Sequence, residues 1–306
     1  MKLMIFLIGS ILFSLNQTVA QGTKFIPPVS PRVEKLINTN WVFNYFPEKD
    51  PPAFEKSSFD DSRWPVIALP HTWQTFETTR ELHPYIRNAS SGDDPYWWNG
   101  WGCYRKHLVI GKQFRGKKVY FEFEGVQKYG KVYLNGKFLG EHKGGYTGFC
   151  LDATHAVNFG GDNVIAVAVN NSLNDQYHIP PMSAGNFDVY GGIHRDVRLV
   201  IKEPVNIPFQ GSWEHEGGTF ITTPVANDSV AVVQVKTWIR NNGTAPQQVS
   251  LVTTLTHTLG LFIQQTESEK RIMPGETALI TQLSPPIQNP RLWSPERPHL
   301  YNAFSE

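Results

Sequence analysis

The run Lys117–Val126, KKVYFEFEGV, puts Val119, Phe121 and Phe123 on one side of an extended chain and Tyr120, Glu122 and Glu124 on the other. A period of two marks a strand with one buried face; a helix would scatter these residues around its whole surface. The pattern recurs. KVYLNGKFLGEH holds Asn135-Gly136 between short apolar runs, the composition of a two-residue type I′ hairpin in which both turn positions need positive φ. DNVIAVAVNN is apolar on both faces, which suits a central, covered strand. DVRLVIKE closes the series, and the only helical hint before residue 205 is a turn around Arg32–Ile37. The chain is expected to be all-β.

From Val205 the composition shifts to Ser, Thr, Val and Gln, and strands of about eight residues alternate with turns such as Asn241-Asn242-Gly243 and Pro274-Gly275. That spacing suits a small immunoglobulin-like sandwich. The boundary is expected in KEPVNI, near Glu203–Val205. At the end, LWSPERPHLYNAFSE, Leu300–Phe304 reads as a strand still under way, so the second sandwich is expected to be truncated.

Residues 1–20, MKLMIFLIGSILFSLNQTVA, read as a secretory signal peptide: an early lysine, an apolar run from Leu3 to Leu15, and small residues at Thr18 and Ala20. The run is short for a membrane span, and no other segment is long and apolar enough. An exported mature chain, periplasmic or extracellular and not a membrane protein, is expected, long enough for about two ordinary domains. A net charge of +1, dispersed along the chain, offers nothing to nucleic acid. Cys103 and Cys150 are the only cysteines. They make one disulfide possible in an oxidising compartment, and two buried free thiols are the alternative.

Several motifs dissolve on inspection. GKQFRGKK (Gly111–Lys118) nearly spells a phosphate-binding loop, but Lys118 stands where Ser or Thr is required and a strand follows where a helix is needed. A basic hairpin loop is the better reading. The ten histidines are scattered without ligand spacing, so neither metal nor cofactor is expected. Six of the nine tryptophans fall between Trp41 and Trp101; indole rings fill cores and also suit the faces of sugar rings. In DVYGGIHRDVRL (Asp188–Leu199) Arg195 shares the parity of Ile193, Val197 and Leu199. A guanidinium on a core face requires either a partner or a bulge that turns it outward.

Four ordered stretches, LPHTW (Leu69–Trp73), GWGCYRKHL (Gly100–Leu108), FEGVQKYGKVYLNGKFLGEHKGGYTGF (Phe123–Phe149) and YGGIHRDVRL (Tyr190–Leu199), resemble the N-terminal sugar-binding domain of glycoside hydrolase family 2. LWSPERPHLY (Leu292–Tyr301) resembles the end of that family's immunoglobulin-like domain. The family contains β-galactosidases, β-glucuronidases and β-mannosidases. The resemblance implies a jelly-roll over residues 21–204 and an immunoglobulin-like sandwich over 205–306. A (β/α)₈ barrel, carrying the two catalytic glutamates, follows in the family. A barrel needs about 250 residues of alternating strands and helices, and none of that is present. The chain should therefore hold no catalytic residue and be an accessory portion of an enzyme acting on a carbohydrate, its partner the missing barrel.

The resemblance also assigns the loops. NFDVYGGIHRDV would run from the face of the active site back into the jelly-roll. It would carry Asn186 where many relatives have a substrate-touching aspartate, with Asp188 as a substitute two positions on, and Tyr190 beside them. DDPYWWNGWG (Asp93–Gly102) would supply a second substrate-side loop, with Trp98 and Asn99 toward the sugar. Gly191 and Gly192 would allow a tight turn, and Arg195 would be a buried structural cation behind the loop. A free-standing carbohydrate-binding protein of two β-sandwiches is the competing possibility.

Overall fold

The computed structural model describes residues 23–46, 50–73, 100–171, 191–209 and 217–306. Residues 1–20 lie outside them. The described residues form antiparallel sheets with no α-helix. β1 (Val33–Leu36) replaces the helical turn expected there. It pairs with β10 (Val197–Lys202), from Val33↔Ile201 to Leu36↔Arg198. The weak helical signal of four residues is overridden by the open edge of a sheet.

Two sheets make the first sandwich, a jelly-roll. One runs β1-β10-β5-β8, with β5 at Lys118–Phe123 and β8 at Phe149–Asp152. The other runs β3-β2-β4-β9-β6-β7: β3 is Val66–Ile67, β2 Trp41–Phe46, β4 Trp101–Val109, β9 Asp162–Asn170, β6 Tyr129–Leu134 and β7 Lys137–Lys143. Val119, Phe121 and Phe123 face Trp41, Phe43, Ile165, Val167 and Val169 across the core. Asn135 (φ 53) and Gly136 (φ 79) turn β6 into β7. The Asn135 side chain also donates to the Ala156 carbonyl at 2.8 Å and accepts from the Val164 amide at 2.9 Å, fixing the hairpin tip to β9. The Gly111–Lys118 segment is not a hairpin loop. It carries the chain from β4 in one sheet to β5 in the other.

β9 is central, between β4 and β6, and all but its first residue is buried. Its large residues face the core; Ala166 and Ala168 face the other way, beside Cys103. Over those alanines fold Phe54, Phe59 and Trp64, and beneath them lies Arg105, fully buried. Its guanidinium donates to the Asp61 carboxylate at 2.6 Å, to the carbonyls of Lys56 (3.1 Å) and Phe59 (3.4 Å), and to that of Phe54. Asp61 also contacts the exposed His107 at 2.9 Å.

Arg105, not Arg195, is buried as a structural cation, as Lys106 and Lys128 also are. Arg195 is exposed. The chain bridges to Gln127 at Gly192, bends at Arg195, and becomes a strand only at Val197. Alternation does not pass through a bend, so Ile193 and Val197 are both buried while Arg195 between them is not. Arg198 lies on the half-buried outer face and pairs with Glu124 and, at 3.5 Å, with Asp196. Cys103 and Cys150 are buried free thiols.

The second sandwich is immunoglobulin-like. β13 (Val230–Asn241) pairs on one edge with β11 (Val205–Asn206) and β12 (Thr219–Ala226), and on the other with β16 (Thr277–Leu283) and β17 (Ile287–Gln288). The facing sheet is β15-β14-β18: β14 is Gln247–His257, β15 Phe262–Ile272 and β18 Tyr301–Ser305. Its apolar core is small, centred on Ile239, Leu251, Ile272 and Ile280. Gln282 is buried beside it, accepting from Thr253 at 2.6 Å and donating to the Leu251 and Thr266 carbonyls. Residues 23–25 lie against this sandwich, through Phe25 N–H to Gly260 O at 2.8 Å and Phe262 N–H to Thr23 O at 2.8 Å.

Removing Arg105 strands a carboxylate and three carbonyls. Arg105→Ala should cost about 3–5 kcal/mol, whereas Arg195→Ala should stay within about 0.5 kcal/mol, as exposed positions do. Urea unfolding of the two variants side by side measures the difference. Burial alone would raise the Asp61 pKa, but its hydrogen bonds and charge interactions with Arg105 and His107 outweigh burial and hold it below the usual range. The stability it contributes is present above the unfolded value of about 3.9 and is lost as pH falls through the folded pKa. Thermal melts from pH 6 to below 3 should show the gap between wild type and Asp61→Asn narrowing with acid.

Candidate functional site

Two pairs of distant backbone segments meet at one edge of the jelly-roll. Trp73 N–H donates to Gly191 O at 3.3 Å. Gly100 N–H donates to the Asn171 side-chain oxygen at 3.0 Å, and Asn171 N–H to Gly100 O at 3.4 Å. These four residues flank 74–99 and 172–190, the stretches that carry Trp98, Asn99, Asn186, Asp188 and Tyr190. Those five expected substrate contacts lie outside the described residues. Their flanks are nonetheless held together, because β4 starts and β9 ends at the same level, with Trp101 opposite Asn170.

The anchor behind Gly191 is tight. A Cβ on Gly191 would lie 1.8 Å from the Trp73 ring, and one on Gly192 (φ +141) would lie 2.3 Å from the His71 carbonyl. Glycine is needed at both, for space at the first and for conformation as well at the second. Trp73 stacks on Phe43 at 6.0 Å, and His71 Nδ1 meets the Tyr104 hydroxyl at 2.9 Å. Burial keeps the Tyr104 phenol protonated, its pKa pushed well above the ordinary value. Trp41, Trp64 and Trp73 are therefore core residues, and Trp101 is half-buried against the cluster around Phe54.

Beside Gly192 the backbones of Gln127 and Gly192 exchange hydrogen bonds at 2.9 and 3.2 Å. Lys128 is 2% exposed, and burial lowers its pKa. Gln127 Oε1 and both His194 ring nitrogens are buried without partners in hydrogen-bonding geometry. Burial, and then the charge of Arg195, lower the His194 pKa; a weak contact at the Gly192 backbone offsets part of this. Among the described residues no group of His, Cys, Asp and Glu could hold a metal ion. The edge is knit by backbone hydrogen bonds and carries buried polar side-chain groups at Gln127, Lys128 and His194.

Two family models match: the sugar-binding domain of glycosyl hydrolases family 2 over residues 34–204, and glycosyl hydrolases family 2 over residues 217–306. The chain belongs to glycosyl hydrolase family 2. It is 30% identical over 282 residues to a β-glucuronidase of Formosa agariphila, covering 90% of this chain and 28% of that protein. A β-galactosidase of Thermoanaerobacter pseudethanolicus is 33% identical over 268 residues, with 87% and 32% covered. The crystal structure of Bacteroides uniformis β-glucuronidase aligns with a TM-score of 0.76 at 30% identity, over 89% of this chain and 30% of that one. The chain thus spans about a third of the length of these family 2 relatives.

Of the residues that the family resemblance assigns, Gly191 and Gly192 stand at the loop edge and Arg195 does not enter it. Trp73, Asn171, Gln127 and Lys128 carry no isolated signal.

Gly192→Ala should cost about 1–3 kcal/mol from conformation alone, and more from contact with His71. Gly116 also has positive φ, +88, but nothing lies within 4 Å of an added Cβ. Gly116→Ala should therefore show only the conformational cost. Unfolding midpoints of the two variants separate strain from contact.

Proposed function

We propose that this chain is the N-terminal accessory portion of an exported, retaining exo-β-glycosidase of the β-galactosidase or β-glucuronidase type. Its jelly-roll and immunoglobulin-like domains would meet near residues 204–205. The observation that carries the reading is the match of almost the whole chain to about a third of proteins named β-glucuronidase and β-galactosidase. Retaining hydrolysis uses two carboxyl groups about 5–5.5 Å apart, one as acid/base and one as nucleophile. In this proposal a (β/α)₈ barrel beyond the 306 residues supplies both.

The chain's own contribution would be a wall. The tethers Trp73–Gly191 and Gly100–Asn171 hold the roots of two loops side by side, so Trp98, Asn99, Asn186, Asp188 and Tyr190 would close over a sugar seated on the barrel. Burying most of a small ligand's surface needs such a second side. A carboxylate at Asp188 would favour a neutral sugar over a uronate, because like charges repel at short range. Export would follow from residues 1–20.

The test is to extend the reading frame past Glu306 and assay the whole product on p-nitrophenyl β-D-galactoside and β-D-glucuronide. One of them should be hydrolysed with retention. The 306-residue chain by itself should hydrolyse neither, since positioned acid and nucleophile supply much of the acceleration. Turnover by the short chain well above a buffer blank, or an inert long product, would overturn the proposal.

A further inference from the structure

A cleft lies on the outer face of the β1-β10-β5-β8 sheet. The register sets Glu34, Val200 and Tyr120 in one row, with Glu122 opposite Cys150 in the next. All of them point away from the Phe121 core. The chain leaving β11 crosses this face, and Phe209 closes one side. The cleft measures about 160 Å³, below the roughly 300–1,000 Å³ that encloses drug-sized ligands. One sugar ring is the scale that fits.

The chemistry of the walls narrows the ligand. Arg32 and Lys202 balance Glu34 and Glu122, and Arg32 is already paired with Glu34 at 3.0 Å on the rim. A phosphate would meet two carboxylates; a hydrocarbon would leave the charges unsolvated. The Glu122 carboxylate accepts no hydrogen bond among the described residues; burial raises its pKa, and the charges of Arg198 and Lys202 offset part of this. Lys202 donates to the Ile207 carbonyl at 2.8 Å, which leaves two of its three N–H donors. The Phe209 ring offers an apolar face, and the Tyr120 ring has the Lys202 ammonium 5.9 Å from its centroid. Asn206, close to Tyr120, keeps its amide oxygen buried without a donor. The Cys150 thiol is pushed up to about 12 by burial, so the cleft has no ready nucleophile.

We infer that this cleft binds a single neutral hexopyranose residue, its hydroxyls on Glu122 and Lys202 and its ring against Tyr120 and Phe209. The site is separate from the loop edge and does not depend on the glycosidase reading. It would let the protein hold a glycan through one sugar residue.

Saturation-transfer NMR on the 306-residue chain tests this with methyl β-D-galactoside, methyl β-D-glucuronide and glycerol as separate probes. Transfer to the galactoside is expected, with little to the glucuronide and none to glycerol. Glu122→Gln and Phe209→Ala should each weaken it by at least about tenfold, the scale of one charge-assisted hydrogen bond or ring contact. Neither should change the melting temperature by more than a few degrees. If one variant fails to fold, the other still decides. No transfer from the galactoside, equal transfer from glycerol, or undiminished transfer in the folded variants would overturn the inference. Hydrolysis by the long product is read separately, so the two proposals fail independently.

Discussion

A fully buried guanidinium holds the first sandwich in shape. Arg105 sits on the alanine face of the six-stranded sheet and takes its acceptors from Phe54, Lys56, Phe59 and Asp61. A buried charge is tolerable only when its donors are matched, so the segment over it must close in one conformation. That closure covers the second side of β9 and keeps the central strand dry on both faces. With β9 and its neighbour β4 fixed, their ends set Asn171 against Gly100.

The loop edge inherits its geometry from that framework. Its contacts are mostly backbone hydrogen bonds and glycine close approaches, which report position and not chemistry. The second sandwich has a thinner apolar core and relies on Gln282 and threonine hydroxyls, a polar interior that must be fully satisfied to be stable. β4 and β9 pair across more than fifty positions, so the loop edge that their ends set cannot form before that long-range pairing.

Parity was a good guide inside strands and a poor one at their ends. Val119, Phe121 and Phe123 face the core as the alternation requires, and Asn135-Gly136 turns where its φ preference demands. Arg195 obeyed the same parity on paper but lies past a bend, where the period no longer applies. Arg105 carried no signal of burial. Its position alternates with Tyr104 on β4, which looks like a solvent face; only the fold shows that residues 54–64 roof it. Trp73 and Gly191 are more than a hundred positions apart, and no local pattern could pair them.

By itself the sequence determined the all-β class, the hairpin tip, the covered central strand and the family, because these rest on local period, on turn chemistry and on ordered motifs. Tertiary structure decided which cation is buried, which tryptophans are core, that β1 is a strand, and that four distant residues share one edge. Those outcomes depend on what each face meets across space, and a chain's local pattern does not encode its neighbours.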